Sequence, residues 1–214
     1  MNLNEIITST YTCRYYEKTD IEPRILEEVL DAARWGPSGG NRQPVSLIVI
    51  RKQKTKKAIQ NLYLPLWEPY AKSVKNGGVK VDATSSSMLQ SADFFARNLS
   101  DIPVFLLVCV KLADVHPTDT KLDRLSIVGG ASVYPAIQNL LLMARAKGLG
   151  SALTTLLCAV EPQVKELLGI PSDISTAALI TLGHPKNSFP KKLNRKPLAK
   201  ILWSETFGKK WDSL

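Results

Sequence analysis

Ala32-Ala33-Arg34-Trp35-Gly36-Pro37-Ser38-Gly39-Gly40-Asn41-Arg42-Gln43-Pro44 decides how this chain is read. The stretch begins by closing a helix. From about Glu22 to Arg34, Ile25, Leu26, Val29, Leu30 and Ala33 recur on one face, and Pro23 stands where a first-turn proline is tolerated. Gly36, Pro37 and the paired glycines then break the helix, and the chain runs into Val45–Ile50, which fits a buried strand. Adjacent Gly39 and Gly40 let backbone approach a ligand closely, while Ser38, Asn41 and Gln43 offer hydrogen bonds. On spacing alone the segment is a loop.

Working outward, Ile102–Val110 is rich in β-branched side chains and uncharged, which marks a central strand. Leu149–Leu157 and Ala177–Leu182 read as further strands. Glu161–Leu168 reads as a short helix, with Pro162 near its start and Gly169 past its end. From Gly130 to Lys147 a helix apolar on most faces stops at Gly148; such a helix belongs in a core or an interface. Lys72–Ser87 mixes Lys, Gly and Ser and reads as a mobile connection or lid. Helices and strands without regular βαβ alternation imply an α+β fold, and 214 residues imply a single domain over 1–214.

Composition narrows the class. Apolar residues make up 44% and charged residues 22%, a globular balance. Cys13, Cys109 and Cys158 cannot build a disulfide framework and suit a reducing compartment. The longest apolar run is too short to span a bilayer, and no cationic-then-apolar leader opens the chain, so a cytoplasmic protein is expected. Lys and Arg number 28 against 19 acids, and a net charge of +9 favours anionic partners. Arg51–Lys57 reads as a solvated basic segment following a strand. Neither it nor Lys191–Lys196 interleaves aromatics with its cations, so nucleic-acid binding is unsupported. There is no GxGxxG, Walker A, HExxH or GxSxG pattern. His116 and His184 each precede a proline in a turn-like setting, so no catalytic triad or metal site is assigned. An enzyme this poor in acid/base groups takes its chemistry from a cofactor.

Three segments suit an anionic cofactor. Thr10-Tyr11-Thr12-Cys13-Arg14 puts hydroxyls and an arginine ahead of the first long helix. Pro37–Pro44 is the glycine loop. Asn194-Arg195-Lys196-Pro197-Leu198 carries an arginine fit to clamp a phosphate. Together they resemble the FMN-dependent nitroreductase family. Ala32–Pro44 looks like that family's hallmark, and Gly130–Leu142, Gly148-Leu149-Gly150, Glu166–Pro171, Leu182-Gly183-His184-Pro185 and Arg195–Leu198 follow in order. The resemblance covers about residues 5 to 211 and is weakest over 60–100.

The resemblance implies an antiparallel-rich central sheet flanked by helices, in an intertwined homodimer with FMN at the interface, contacted by both subunits. It implies Arg14 near the flavin's pyrimidine end, where a cation favours the anionic reduced form. Thr10 falls where the phosphate is usually gripped, with Tyr11 and Thr12 beside it; the family's Arg-Arg-Ser-x-Arg has lost its two leading arginines here. Pro37, Ser38, Gly39, Asn41 and Gln43 would come from the partner subunit, Leu153-Thr154-Thr155 would pass the N5 edge, and Arg195 would hold the phosphate. The implied activity takes hydride from NADH or NADPH and passes it to a nitroaromatic, quinone or similar acceptor by a ping-pong mechanism. The alternatives are dehalogenation, flavin fragmentation or dehydrogenation on the same fold, or a non-enzymatic module binding phosphorylated ligands or nucleic acid. Tyr63, Trp67, Tyr70, Phe94 and Phe95 fit either an acceptor pocket or a core.

Overall fold

The computed structural model describes residues 1–75 and 83–211. Four strands, β1 (Val45–Ile50), β2 (Val104–Lys111), β3 (Gly150–Thr154) and β4 (Ile174–Gly183), form an antiparallel sheet in the order β1-β2-β4-β3. The helices are α1 (Leu3–Ser9), α2 (Pro23–Ala33), α3 (Gln53–Lys75), α4 (Ala83–Arg97), α5 (Tyr134–Ala146) and α6 (Glu161–Leu168).

β2 is apolar at successive positions because both of its faces are covered. Val104, Leu106, Val108 and Val110 join the core that includes Val29 of α2 and Leu140 of α5. Phe105, Leu107 and Cys109 point the other way, into the core of Ile59, Tyr63 and Phe95 from α3 and α4 and Val164 from α6. Period-two alternation therefore sorts side chains between two apolar layers rather than between core and water. The result is the expected sheet flanked by helices.

α2, β1 and α6 fall within a residue of their expected spans. The strand expected over Leu149–Leu157 stops at Thr154. There the Leu156 N–H bonds the Thr154 hydroxyl at 3.3 Å and leaves the ladder, and a 3-10 turn carries Leu157 into the core. The helix expected from Gly130 begins at Tyr134, preceded by a 3-10 turn at Val128–Gly130.

Three helices, α1, α3 and α4, carry no counterpart in the sequence reading. The basic run Arg51–Lys57 leads into α3, and Lys56 is not solvated. It is 5% exposed, and its ammonium donates to the carbonyls of Ile102 at 2.7 Å and Pro103 at 3.4 Å. One turn on, the Gln60 side chain bonds the carbonyls of Ala96 and Arg97 and accepts from the Ser100 N–H. A lysine and a glutamine on one helical face thus tie α3 to the turn before β2. The Lys72–Ser87 connection is shorter than expected, since α3 reaches Lys75 and α4 begins at Ala83. The rest of it, 76–82, lies outside the described residues.

Candidate functional site

The glycine loop is fixed by its backbone. Gly36 lies against α5 so closely that a Cβ would come within 2.4 Å of the Ala136 nitrogen. Gly40, Asn41 and Gln43 have φ of 59°, 54° and 50°, and two of these three carry side chains. Left-handed φ at non-glycine residues is uncommon and clusters at functional sites. The Ser38 hydroxyl accepts from the Gln43 N–H and the Ser132 hydroxyl from the Gly39 N–H, both at 3.0 Å. Gln43 turns its amide onto the Asn41 side chain at 3.2 Å. Ser38 and Gln43 border a cavity of roughly 300 Å³ walled by Leu30, Val45 and Ala136.

A second group assembles along β3. Thr12 bridges Ser151 in parallel, and the Cys13 N–H donates to the Ser151 carbonyl at 2.8 Å, so residues 10–14 run beside β3. Gly150 permits this, because a Cβ there would lie 2.6 Å from the Cys13 sulfur. Tyr16 locks the segment from beneath, its phenol paired with the Cys13 carbonyl and the Thr181 hydroxyl, each at 2.9 Å. At the far end of β3, Thr154 is half-buried and Thr155 exposed. The Leu193 N–H donates to the Thr8 carbonyl at 2.8 Å, bringing the Asn194-Arg195-Lys196 segment to the end of α1, two residues from Thr10. Residues 10–14 and Leu153-Thr154-Thr155 thereby share one edge, with Arg195 brought to the end of α1 that leads into it.

The individual groups differ in what they can offer. Arg195 is exposed and donates to the Asn194 carbonyl at 2.8 Å, leaving the rest of its guanidinium facing a cavity of roughly 710 Å³ that Lys192 and Lys196 also line. Arg14 is half-buried and anchored to the Ser91 hydroxyl of α4 at 3.1 Å. Thr10 departs from its expected part. Its hydroxyl donates to the Ile6 carbonyl at 2.7 Å and its N–H to the same carbonyl at 3.0 Å, so both donors are committed to ending α1. Tyr11 meets Phe189 edge-on, and burial pushes its phenol well above the usual tyrosine range. Burial likewise raises the Cys13 thiol, which is fully enclosed and unsuited to nucleophilic work.

Arg145 has no place in the sequence reading. Its Nε donates to the Ser9 hydroxyl at 2.8 Å and its guanidinium lies 3.8 Å from the Phe189 ring centroid, beside Tyr11. It supplies a cation near the position where Thr10 stands in place of an arginine. Its signal in the sequence is a lone charge after Leu140-Leu141-Leu142-Met143-Ala144 in an otherwise apolar helix.

The two groups stand apart along α5. The loop is attached at Ser132 and Ala136, ahead of and in the first turn of α5, and the β3 edge at Arg145 in its last turn. At 1.5 Å per residue these ends are roughly 15 Å apart. Of the aromatics left open, Tyr63 and Phe95 are core. Tyr70 and Phe94 are exposed, and Trp67 donates to Asp93 at 3.0 Å. Among the described residues no helix is long and apolar enough to cross a membrane, and no cluster of His, Cys, Asp and Glu could hold a metal ion.

This fold is shared with a solved iodotyrosine deiodinase bound to FMN and 3-iodo-L-tyrosine. The TM-score is 0.73 at 22% identity, over 96% of this chain and 100% of that one. Residues 7–184 match the model of the Nitroreductase family, and the chain belongs to that family. It is 26% identical over 218 residues to a NADH dehydrogenase of Thermus thermophilus, covering 89% of this chain and 90% of that protein. It is 27% identical over 194 residues to the iodotyrosine dehalogenase 1 homolog of Caenorhabditis elegans, covering 89% of this chain. It spans 57% of that relative's length.

Proposed function

We propose that this protein is an FMN-dependent oxidoreductase that takes reducing equivalents from NADH or NADPH and passes them to a nitroaromatic, quinone or similar small acceptor. The observation that carries this reading is that the segment bearing Arg14 runs beside β3, which ends at Thr154, with Arg195 brought to the end of α1 that leads into that segment. The donor set fits the cofactor. Arg195 keeps guanidinium N–H groups free for a phosphate, and the segment around it holds Lys186, Lys191, Lys192, Arg195, Lys196 and Lys200 with no acid between Asp173 and Glu205. Arg145 adds charge at the end of α1, compensating for the loss at Thr10. Arg14, held by Ser91, supplies a fixed cation for the flavin's pyrimidine end.

Bound FMN supplies reversible hydride acceptance, so the chain itself needs no general acid or base. The protein's part is to grip the phosphate, hold the ring system and keep water from it. Pro37, Ser38, Gly39, Asn41 and Gln43 serve the partner's cofactor in a homodimer, because they stand at the opposite end of α5 from Arg145. A second copy has apolar surface to bury. Leu3 and Trp35 are 66% and 69% exposed and line one groove with Leu142 and Met143 of α5. A halogenated phenol is the second acceptor class, favoured by the nematode relative's name; halide release on turnover identifies it.

The test is the visible spectrum of the purified protein with FMN, then with NADH or NADPH under anaerobic conditions. A bound-flavin spectrum that bleaches with either nucleotide supports the reading. A protein that takes up no FMN overturns it, and one that binds FMN but resists both nucleotides removes the proposed electron donor.

A further inference from the structure

Among the described residues, Tyr63 is the one aromatic of the α3–α4 arm whose polar end reaches the β3 edge. Its side chain is buried, and its phenol oxygen lies 3.4 Å from the Thr154 hydroxyl. That is long for such a contact, and bonds of this kind tighten when a site is loaded. Thr154 has a second neighbour, the Leu156 N–H, which donates into the same oxygen at 3.3 Å.

Counting protons orders this triangle. A threonine hydroxyl accepts twice and donates once. The phenol has no acceptor other than Thr154 among the described residues, and a buried O–H without a partner is disfavoured. Arg14 is close enough for its charge to be felt at the phenol oxygen, which turns the phenol proton away from the guanidinium. Tyr63 therefore donates to Thr154. With both of its accepting positions taken, by Tyr63 and by Leu156, the half-buried Thr154 hydroxyl has its own proton free. Among the described residues that proton meets no protein acceptor.

We propose that Tyr63 is a positioning residue that sets Thr154 as a hydrogen-bond donor toward the flavin edge beside β3. The inference rests on the FMN reading above and assigns one residue that sequence left between pocket and core. Tyr63 touches Thr154 and not the cofactor. Burial keeps the phenol protonated across the working range and outweighs the nearby charge of Arg14, so the orientation does not switch with pH.

The test is a double-mutant cycle of Tyr63→Phe and Thr154→Val on the full-length protein, read by FMN dissociation constant and by flavin reduction rate under anaerobic conditions. Losing one hydrogen bond to a ligand is a change of about three- to tenfold. Tyr63→Phe is expected to weaken FMN binding by about that factor in the parent, and by less than twofold once Thr154 is valine. Thr154→Ser keeps the hydroxyl and is expected to keep the Tyr63 dependence. Thermal melts of each variant establish that it folds. Equal effects of Tyr63→Phe in both backgrounds, or none in either, overturn the inference while leaving the FMN reading intact. Failure of the parent protein to bind FMN overturns the FMN reading itself.

Discussion

The two ends of α5 hold two kinds of construction. At its start, the loop from Gly36 to Gln43 is shaped by backbone: a glycine pressed on Ala136, three residues at left-handed φ, and N–H groups bonded to Ser38 and Ser132. At its finish, the β3 edge is shaped by side chains: Arg145 on Ser9 and Phe189, Arg14 on Ser91, Tyr63 on Thr154. Backbone-built geometry cannot change a residue without changing the fold. Side-chain geometry can change its ligand chemistry and keep the fold. By the resemblance, the family's Arg-Arg-Ser-x-Arg pattern is altered at Thr10 and Tyr11 while the glycine-loop pattern is kept, which fits that division.

The largest effect should come from the backbone end. Gly36→Ala places a methyl 2.4 Å from the Ala136 nitrogen, so α2 and α5 must separate. Overpacking of this kind costs up to about 3 kcal/mol. A chemical-denaturation midpoint close to that of the parent would show that the helices can slide apart, and the loop would then not be backbone-fixed. The opposite end should break differently. Arg195→Ala removes an exposed cation held by its neighbour's carbonyl, so stability without cofactor should stay within about 0.5 kcal/mol. FMN affinity should fall by roughly tenfold or more, the measure of a charge-assisted phosphate contact. Unchanged affinity by flavin fluorescence would move the phosphate away from this edge.

How much could be read from sequence follows the same line. β2 was legible because it is apolar on both faces and bounded by turns. The glycine loop was legible because Gly, Pro and Asn mark required φ values and close approaches. α3 was not, since its opening turn is a run of cations and Pro65 and Pro69 stand within it. Lys56 shows why: charge predicts solvent, yet two carbonyls at the end of the Leu99–Pro103 turn give that ammonium a buried place. Of the proposed site, Arg14 and Arg195 were singled out through the resemblance to the family's order of motifs. Arg145 and Tyr63 were not, because their meaning lies in contacts made 136 and 91 residues away in the chain.

A smaller effect concerns the segment that leads back to the loop. Asp119 is 5% exposed and accepts from the Ser126 hydroxyl at 2.6 Å, the Arg124 guanidinium at 2.7 Å and the Ile127 N–H at 3.0 Å. The Ser126 bond, with Arg124 and backbone N–H groups, holds this carboxyl well below the usual range. A depressed folded-state pKa gives stability that is present above the unfolded value, near 4, and lost as pH falls below it. Stability measured from pH 6 downward should therefore decline more steeply in the parent than in Asp119→Asn. Parallel profiles would mean that the carboxylate contributes nothing to holding the 119–132 segment.

The smallest effect separates the loop's two kinds of left-handed residue. Gly40→Ala should cost about 1–2 kcal/mol: its φ is 59° and there is room for the methyl, so the cost is the conformation alone. Asn41→Gly relieves a similar conformation at φ 54°, but it frees the unfolded chain by about as much, so the net change should stay within about 0.5 kcal/mol. Stability then gives no reason for asparagine at this position. Its side chain holds the Gln43 amide at 3.2 Å, and the two amides together form the polar tip of the loop. If Asn41→Gly weakens FMN binding while leaving the denaturation midpoint in place, asparagine stands there for the ligand, and the backbone end of α5 carries a recognition group after all. Should affinity and midpoint both hold, the tip is a turn and the ligand is held from the β3 edge.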